Sequence, residues 1–261
     1  MAISLASLQR VSAHLPPRLL IYGQPGIGKT SLAAEFPSPV FLQVEDGTPA
    51  DTEIVSFGHL GSYADVIEAL EALYTEEHEF KTVVLDSLDK LEPLVWAYVC
   101  EENKWKDIET PGYGKGYVAA DAVWRDLIGA CNALRRDRGM MVLLIAHSTV
   151  ERFDDPTTSS YSRYDIRLHK RALGMIQDEM DAILFLNQDV SIKEEDAGFN
   201  KKTSKGKGGG NRVIYCELRP SFVAKNRFGL PDKLPYRRGE GWSALAPFMP
   251  GFSESAPPKA A

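Results

Sequence analysis

Four short apolar runs, each closing on a polar or glycine-rich turn, divide the first half of the chain: Leu19-Leu20-Ile21-Tyr22, Val40-Phe41-Leu42-Gln43-Val44, Thr82-Val83-Val84-Leu85 and Met140 to Ala146. Runs of this length between turn signals read as strands buried on both faces, the pattern of a parallel sheet covered by helices. Between the runs the period becomes helical. Ser62-x-x-Asp65 has the form of a capping box, followed at helical spacing by Val66, Ile67, Leu70, Leu73 and Tyr74. Val123, Trp124, Leu127, Ile128, Cys131 and Leu134 make one face of another helix, which stops after Arg135, Arg136 and Arg138 at Gly139. A further helix runs to about Met180, and strands are predicted at Asp181 to Leu186, Val213 to Leu218 and Phe222 to Ala224. The alternation predicts an α/β fold, a largely parallel twisted sheet flanked by helices with antiparallel strands near the carboxyl end.

The first run leads directly into Gly23-Gln24-Pro25-Gly26-Ile27-Gly28-Lys29-Thr30-Ser31. A loop that wraps a phosphate turns its backbone N–H groups inward, and a Cβ at Gly23, Gly26 or Gly28 would block the approach. A helix starting near Lys29 aims its positive end at the same anion, Lys29 reaches the β/γ-phosphates, and the Thr30 hydroxyl can ligate Mg²⁺. All nine residues, Gly23 to Ser31, are therefore expected to bind the nucleotide. The third run ends in Asp86-Ser87, the Walker B arrangement, in which the Asp86 carboxylate holds the metal through water or through Thr30. Ser87 stands where AAA+ and ABC ATPases place a hydrolytic glutamate, and Glu45, closing the second run, is the available substitute. The fourth run ends in His147. Glycine loop, Glu45, Asp86 and His147 thus share the carboxyl edge of the sheet, where open α/β sheets bind ligands. A plain turn carboxylate remains the alternative for Glu45, and a buried hydrogen-bonded histidine for His147.

Composition narrows the setting. The 261 residues carry a formal net charge of −6, so the whole-molecule field does not draw the chain to nucleic acid and any such contact is local. Three cysteines without metal-ligand spacing fit a reduced compartment. No basic leader and no apolar run of about 18 residues occur, so neither export nor a membrane span is expected and the cytoplasm is the expected location. The sequence divides into an amino-terminal segment (1–17), a core (18–243) with a mobile basic glycine-rich loop at about 194–212, and a Pro-rich tail (244–261) expected to be disordered beyond about Phe252. Residues 103–117 and 149–166 read as long irregular stretches rich in charges and aromatics.

Six segments resemble the RecA/RadA superfamily, in particular short phage-encoded RecA-like ATPases of single-strand annealing and recombination. They are Gly23 to Ser31, Val44 to Gly47, Val84 to Ser87, Gly112 to Tyr117, Ile145 to His147 and Ala224 to Pro231, within roughly residues 18–235. The resemblance implies a RecA-like P-loop NTPase core hydrolysing Mg²⁺-ATP. It implies that Glu45, on the strand neighbouring the P-loop, orients the attacking water, and that His147 senses the γ-phosphate. Lys225-Asn226-Arg227-Phe228-Gly229 is identical to a motif of bacterial RadA, which implies that Lys225 and Arg227 reach the nucleotide of a neighbouring copy in a ring or filament. The stretches after the third and fourth strands become candidates for single-stranded DNA through Lys104, Trp105, Lys106, Lys115, Arg152, Phe153, Arg163 and Tyr164, which combine base stacking with phosphate neutralisation. The Lys201 to Arg212 loop is a further candidate phosphate contact.

The expected activity is DNA-stimulated ATP hydrolysis between subunits in recombination or annealing, with single-stranded DNA, other copies of the chain and a single-strand-binding protein as partners, and host cytoplasm as the location for a phage-encoded protein. Relative to full-length recombinases, no separate polymerisation or DNA-binding domain is recognisable, which leaves a ring or a partner-assisted assembly open beside a filament. A nucleotide-gated assembly module with slow hydrolysis and a helicase-type motor need the same phosphate site and stay open as alternatives.

Overall fold

The computed structural model describes residues 15–47, 51–196 and 202–252, with the side chains of 190–209 outside that description. At the centre, β1 (Arg18–Gly23) lies parallel between β5 (Met141–Phe153) and β7 (Ala182–Asp196). Beyond β5 the sheet continues in parallel through β4 (Thr82–Asp86), β2 (Pro39–Gln43) and β3 (Ser56–His59). Beyond β7 it turns antiparallel through β8 (Lys202–Tyr215) and β10 (Lys233–Tyr236), while β9 (Lys225–Asn226) pairs with the start of β7. This is the α/β architecture that the apolar runs predict.

Along β1, Leu20 and Tyr22 belong to one core and Leu19 and Ile21 to the other; Val142, Leu144 and Ala146 alternate likewise with Met141, Leu143 and Ile145 on β5. Both faces are buried, so these strands read as unbroken apolar runs. The larger core lies under α2 (Tyr63–Thr75), α3 (Leu88–Asn103), α4 (Lys115–Asp137) and α5 (Lys170–Glu179), and the smaller under α1 (Lys29–Ala33) and α6 (Gly241–Leu245). The capping box forms as predicted: Ser62 Oγ accepts from Asp65 N, and the Asp65 carboxylate accepts from Ser62 N.

At the amino ends of β1 and β7, Asp181 accepts hydrogen bonds from Arg18 N and Nη2 at 3.0 Å each, with Arg135 at 3.4 Å and Arg227 at 3.5 Å. Burial alone would raise the Asp181 carboxyl; the hydrogen bonds from Arg18 and the charges of Arg18 and Arg135 outweigh it and hold the group below the usual carboxylate range.

Several expectations are corrected. The strand through Ala146 does not stop at His147-Ser148: β5 continues to Phe153 and pairs antiparallel with β6 (Tyr161–Ile166), so most of the stretch expected to be irregular over 149–166 is a β-hairpin. The irregular stretch at 103–117 shrinks to the turn between α3 and α4, because Lys115 and Tyr117 already lie in α4. The expected loop at 194–212 is largely strand, with β8 laddered to β7 from Asp196↔Lys202 to Phe185↔Tyr215. The predicted strand at 222–224 is displaced to β9, and Phe222 makes only isolated bridges. Residues 244–252, assigned to the tail, instead close the smaller core, with Leu245 and Met249 fully buried beside Trp242, Phe248 and Phe252. The amino-terminal segment up to residue 14 and the end of the chain from residue 253 lie outside the described residues. Among the described residues, no helix is long and apolar enough to cross a membrane.

Candidate nucleotide-binding site

The carboxyl edge of the sheet gathers the residues that the sequence places at the ends of four separate strands. The loop after β1 lines a cleft of about 410 Å³ together with Glu45, Asp86 and His147. Gly23 cannot be replaced without displacing β7, since a Cβ there would lie 2.3 Å from the Leu186 carbonyl oxygen. Gly28, with φ 105°, occupies a left-handed conformation that only glycine adopts without strain and forms the N-cap of α1. The helix is only five residues long and ends at Ala33, so the backbone N–H groups at its start contribute more than an extended dipole.

Lys29 is almost fully buried, and its ammonium donates to the carbonyls of Gly23 (3.1 Å) and Gln24 (3.0 Å). Burial pulls its pKa down to about 8, against the opposing charges of Asp86, Asp89 and Glu45. An incoming phosphate favours the ammonium form, so nucleotide binding is expected to be accompanied by proton uptake at Lys29. That uptake should fade as pH falls about two units below the free value, where the lysine is already charged. Binding enthalpies measured in buffers of different ionisation enthalpy between about pH 7.5 and 9 check this, and a proton count that stays flat across that range would show that Lys29 remains charged in the free protein.

Thr30 Oγ1 donates to Asp86 Oδ2 at 2.7 Å, joining the two residues predicted to support the metal. Burial raises the Asp86 carboxyl above its ordinary value, the Thr30 bond opposes this, and the Glu45 charge adds to it. Glu45 Oε2 accepts from Ser87 Oγ at 3.1 Å, so the residue standing where a hydrolytic glutamate could sit holds Glu45 instead. Glu45 follows β2, which is not adjacent to β1 in the sheet as expected: β5 and β4 lie between them, and Val44 N bonds to the Asp86 carbonyl at 2.9 Å.

His147 lies 4.0 Å from Glu45 through Nδ1. It is buried and hydrogen-bonded, with its backbone N and Nδ1 both directed at the Asp89 carboxylate, at 2.9 Å to the nearest oxygen in each case. Arg167 donates to the same carboxylate at 2.6 Å. Burial would raise Asp89, but the hydrogen bonds from His147 and Arg167 overcome it and hold the group well below the carboxylate range. An ionised Asp89 can only accept, so Nδ1 carries the proton and Nε2 is left for other partners.

The donor set fits a magnesium nucleotide. Thr30 Oγ1 and the Asp86 carboxylate put two hard oxygen donors side by side beside Lys29, the kind of partial set with which Mg²⁺ is held together with phosphates and water.

The remaining candidates lie elsewhere. Lys225 donates to the carbonyls of Gln177 (2.7 Å) and Asp178 (3.1 Å) at the end of α5, and Arg227 joins Asp181. Both lie at the amino ends of the strands: β9 pairs with Ala182, in register with Leu19, four residues before Gly23, so they do not reach the cleft of their own chain. Arg152, Phe153, Arg163 and Tyr164 share the β5–β6 hairpin. There Arg152 pairs with Asp154, and Arg163 pairs with Asp165 while its guanidinium lies 4.0 Å above the Phe153 ring. Tyr164 is turned into an aromatic cluster with Phe185, at 5.1 Å between ring centroids. Lys104, Lys106 and Lys115 are exposed on and beside the α3–α4 turn, whereas Trp105 packs against the core.

Asp89, Arg167 and Arg238 left no recognised signal in the sequence, and Arg212 reads there as part of a loop and not as a cleft residue. Asp89 lies in the first turn of α3, three residues after Asp86 at the end of β4, a signal available once α3 is recognised. Arg212 and Arg238 line the cleft only because β8 and β10 return beside the P-loop.

A strand, a glycine loop and a buried lysine, with a hydroxyl and a carboxylate joined beside them at the carboxyl edge of a parallel sheet, define a P-loop NTPase. A family model described as an AAA domain matches residues 15–228, and the chain belongs to that family of P-loop ATPases. Membership carries nucleotide binding and ATP hydrolysis. No curated protein matches the chain.

Proposed function

We propose that the chain is a RecA-like, Mg²⁺-ATP-hydrolysing protein that binds single-stranded DNA and acts in recombination or strand annealing, as a ring or filament of copies. In this reading Lys29 and the loop from Gly23 to Ser31 hold the phosphates, and Thr30 and Asp86 hold Mg²⁺, which would neutralise charge on the transferring group. Glu45 orients the attacking water, and His147 reports on the γ-phosphate. Lys225 and Arg227 would leave their contacts at the α5 end and with Asp181 to complete the cleft of a neighbouring copy. A single-strand-binding protein is the natural further partner, and the cytoplasm, of the host for a phage-encoded chain, the proposed location.

One observation carries the reading. His147 is the last buried residue of β5, directly after its apolar run, and the same strand continues without a break into the hairpin bearing Arg152, Phe153 and Arg163. A change at the γ-phosphate end of the cleft therefore has a covalent route to a surface of cations and aromatics suited to single strands.

The test is steady-state ATP hydrolysis without DNA and with single-stranded or duplex DNA across a salt series. Strong stimulation by single strands, falling steeply with salt, is the expected result. Absence of stimulation with ATP still bound would overturn the DNA role. It would favour a nucleotide-gated assembly module, a second reading supported by the engagement of Lys225 and Arg227 within their own chain. Directional duplex unwinding would instead favour a motor built on the same core.

A further inference from the structure

The basic stretch ending at Arg212 reads in the sequence as a solvated or DNA-contacting loop, but the fold takes its last residue somewhere else. Arg212 sits within the sheet, its backbone paired with Gln188 of β7 on one side and Tyr236 of β10 on the other. Its guanidinium lies over the P-loop: a Cβ on Gly28 would fall 2.8 Å from Arg212 Nη1 and 3.7 Å from the Tyr236 ring. The absence of a side chain at Gly28 thus leaves room for a cation as well as for a phosphate.

Arg212 differs from the other cations of the cleft. Lys29 is engaged by two loop carbonyls. Arg238 is tied to Asp51 and Thr52. Among the described residues, no carboxylate pairs with Arg212, although it is half-buried. A guanidinium keeps its charge under all ordinary conditions, has five donors and no acceptor, and is costly to withdraw from water without an anion. Held by strands on both sides, it is preorganised and gives up little freedom on meeting a ligand.

We infer that Arg212 is a nucleotide-binding residue that clamps the phosphate chain from within the same subunit, in a contact made with ADP as well as ATP. The inference rests on the reading of the cleft as a nucleotide site. It divides the basic residues into two sets. Arg212 and Lys29 compensate the phosphates when a single chain binds nucleotide, and Lys225 and Arg227 are left to make turnover depend on assembly. The anchor of this arrangement is Glu35, at the end of the P-loop segment. Its carboxylate accepts from Tyr236 Oη at 3.2 Å and from the backbone of Gly239 and Gly241 at 2.8 and 2.6 Å, fixing the β10 end against α1.

The experiment compares wild type, Arg212→Ala, Arg212→Lys and Lys29→Ala for binding of ATP, ADP and GTP at several protein concentrations, with KM, kcat and thermal melting measured alongside. Arg212→Ala is expected to weaken ATP and ADP alike by about 10-fold, to raise KM with little change in kcat, and to melt close to wild type; Arg212→Lys should recover part of the loss. The deficit should not vary with protein concentration. Unchanged affinity in Arg212→Ala, with Lys29→Ala defective, would overturn the clamp and leave the nucleotide site standing. A changed preference between ATP and GTP, with equal ADP affinity, would overturn the phosphate assignment in favour of a contact to the base. Normal binding in Lys29→Ala would bring down the reading of the cleft itself.

Discussion

Lys29→Ala is expected to lower ATP hydrolysis by about 100-fold or more and to remove most of the affinity for ATP, while the fold persists. Two effects add on the functional side: the ammonium that faces the phosphates is lost, and so is a preorganised donor in a site partly withdrawn from water, where single donors of this kind are worth about 10²–10³ in rate. On the structural side the loss is small. Burial already works against the charged lysine, as its lowered pKa of about 8 records, so removing it relieves a desolvation cost and leaves only the Gly23 and Gln24 carbonyls to find water. The measurement is calorimetric ATP binding and steady-state turnover on protein whose melting curve matches wild type. Wild-type turnover in a folded variant would remove Lys29 from the site.

Glu45→Gln should separate binding from chemistry. The substitution keeps the shape of the side chain and an oxygen able to accept from Ser87 Oγ, now at 3.1 Å, so the carboxyl edge should hold together. It removes the group proposed to orient and deprotonate water, a role worth about 10²–10⁴ in rate. It also removes one of the charges that raise the Asp86 carboxyl, so metal-dependent nucleotide binding should be kept or strengthened. The expected result is a protein that binds Mg²⁺-ATP at least as tightly as wild type and hydrolyses it at least about 100-fold more slowly. Unchanged turnover would show that another group orients the water, with Glu45 reduced to a partner of Ser87.

Burial decides how much of this fold is legible in the sequence. The strands of the central sheet carry apolar residues on both faces, and the apolar runs before Gly23, Glu45, Asp86 and His147 each end where the chain meets the cleft, so these positions share one edge from the sequence alone. The β5–β6 hairpin left no such trace. Beyond His147 no residue of β5 is buried, Val150 is 61% exposed, and a strand end without a dry face shows no apolar period. β8 is harder still: over much of its length it is lysine and glycine, held by backbone pairing with β7, and composition of that kind reads as a loop. α3 was in principle legible, since Leu88, Leu91, Val95 and Val99 are buried at helical spacing, but Pro93 interrupts the pattern with a residue that costs a backbone hydrogen bond. With α3 unread, Asp89 could not be connected to His147. Arg212 depended on strand order alone, because only the return of β8 between β7 and β10 brings it over Gly28.

The cluster of Arg18, Arg135, Asp181 and Arg227 ties the amino ends of β1 and β7 together, at the edge of the sheet away from the cleft. Stability and chemistry are thereby lodged at opposite ends of the same strands. Substitutions around the cleft can accumulate without loosening the knot that keeps these strands in register, which leaves the carboxyl edge free to diverge in what it binds. Arg227 is the exception, because it belongs to the knot and is also the residue proposed to serve a neighbouring copy. Assembly would then draw directly on the fold's own reserve, coupling the firmness of each chain to the company it keeps.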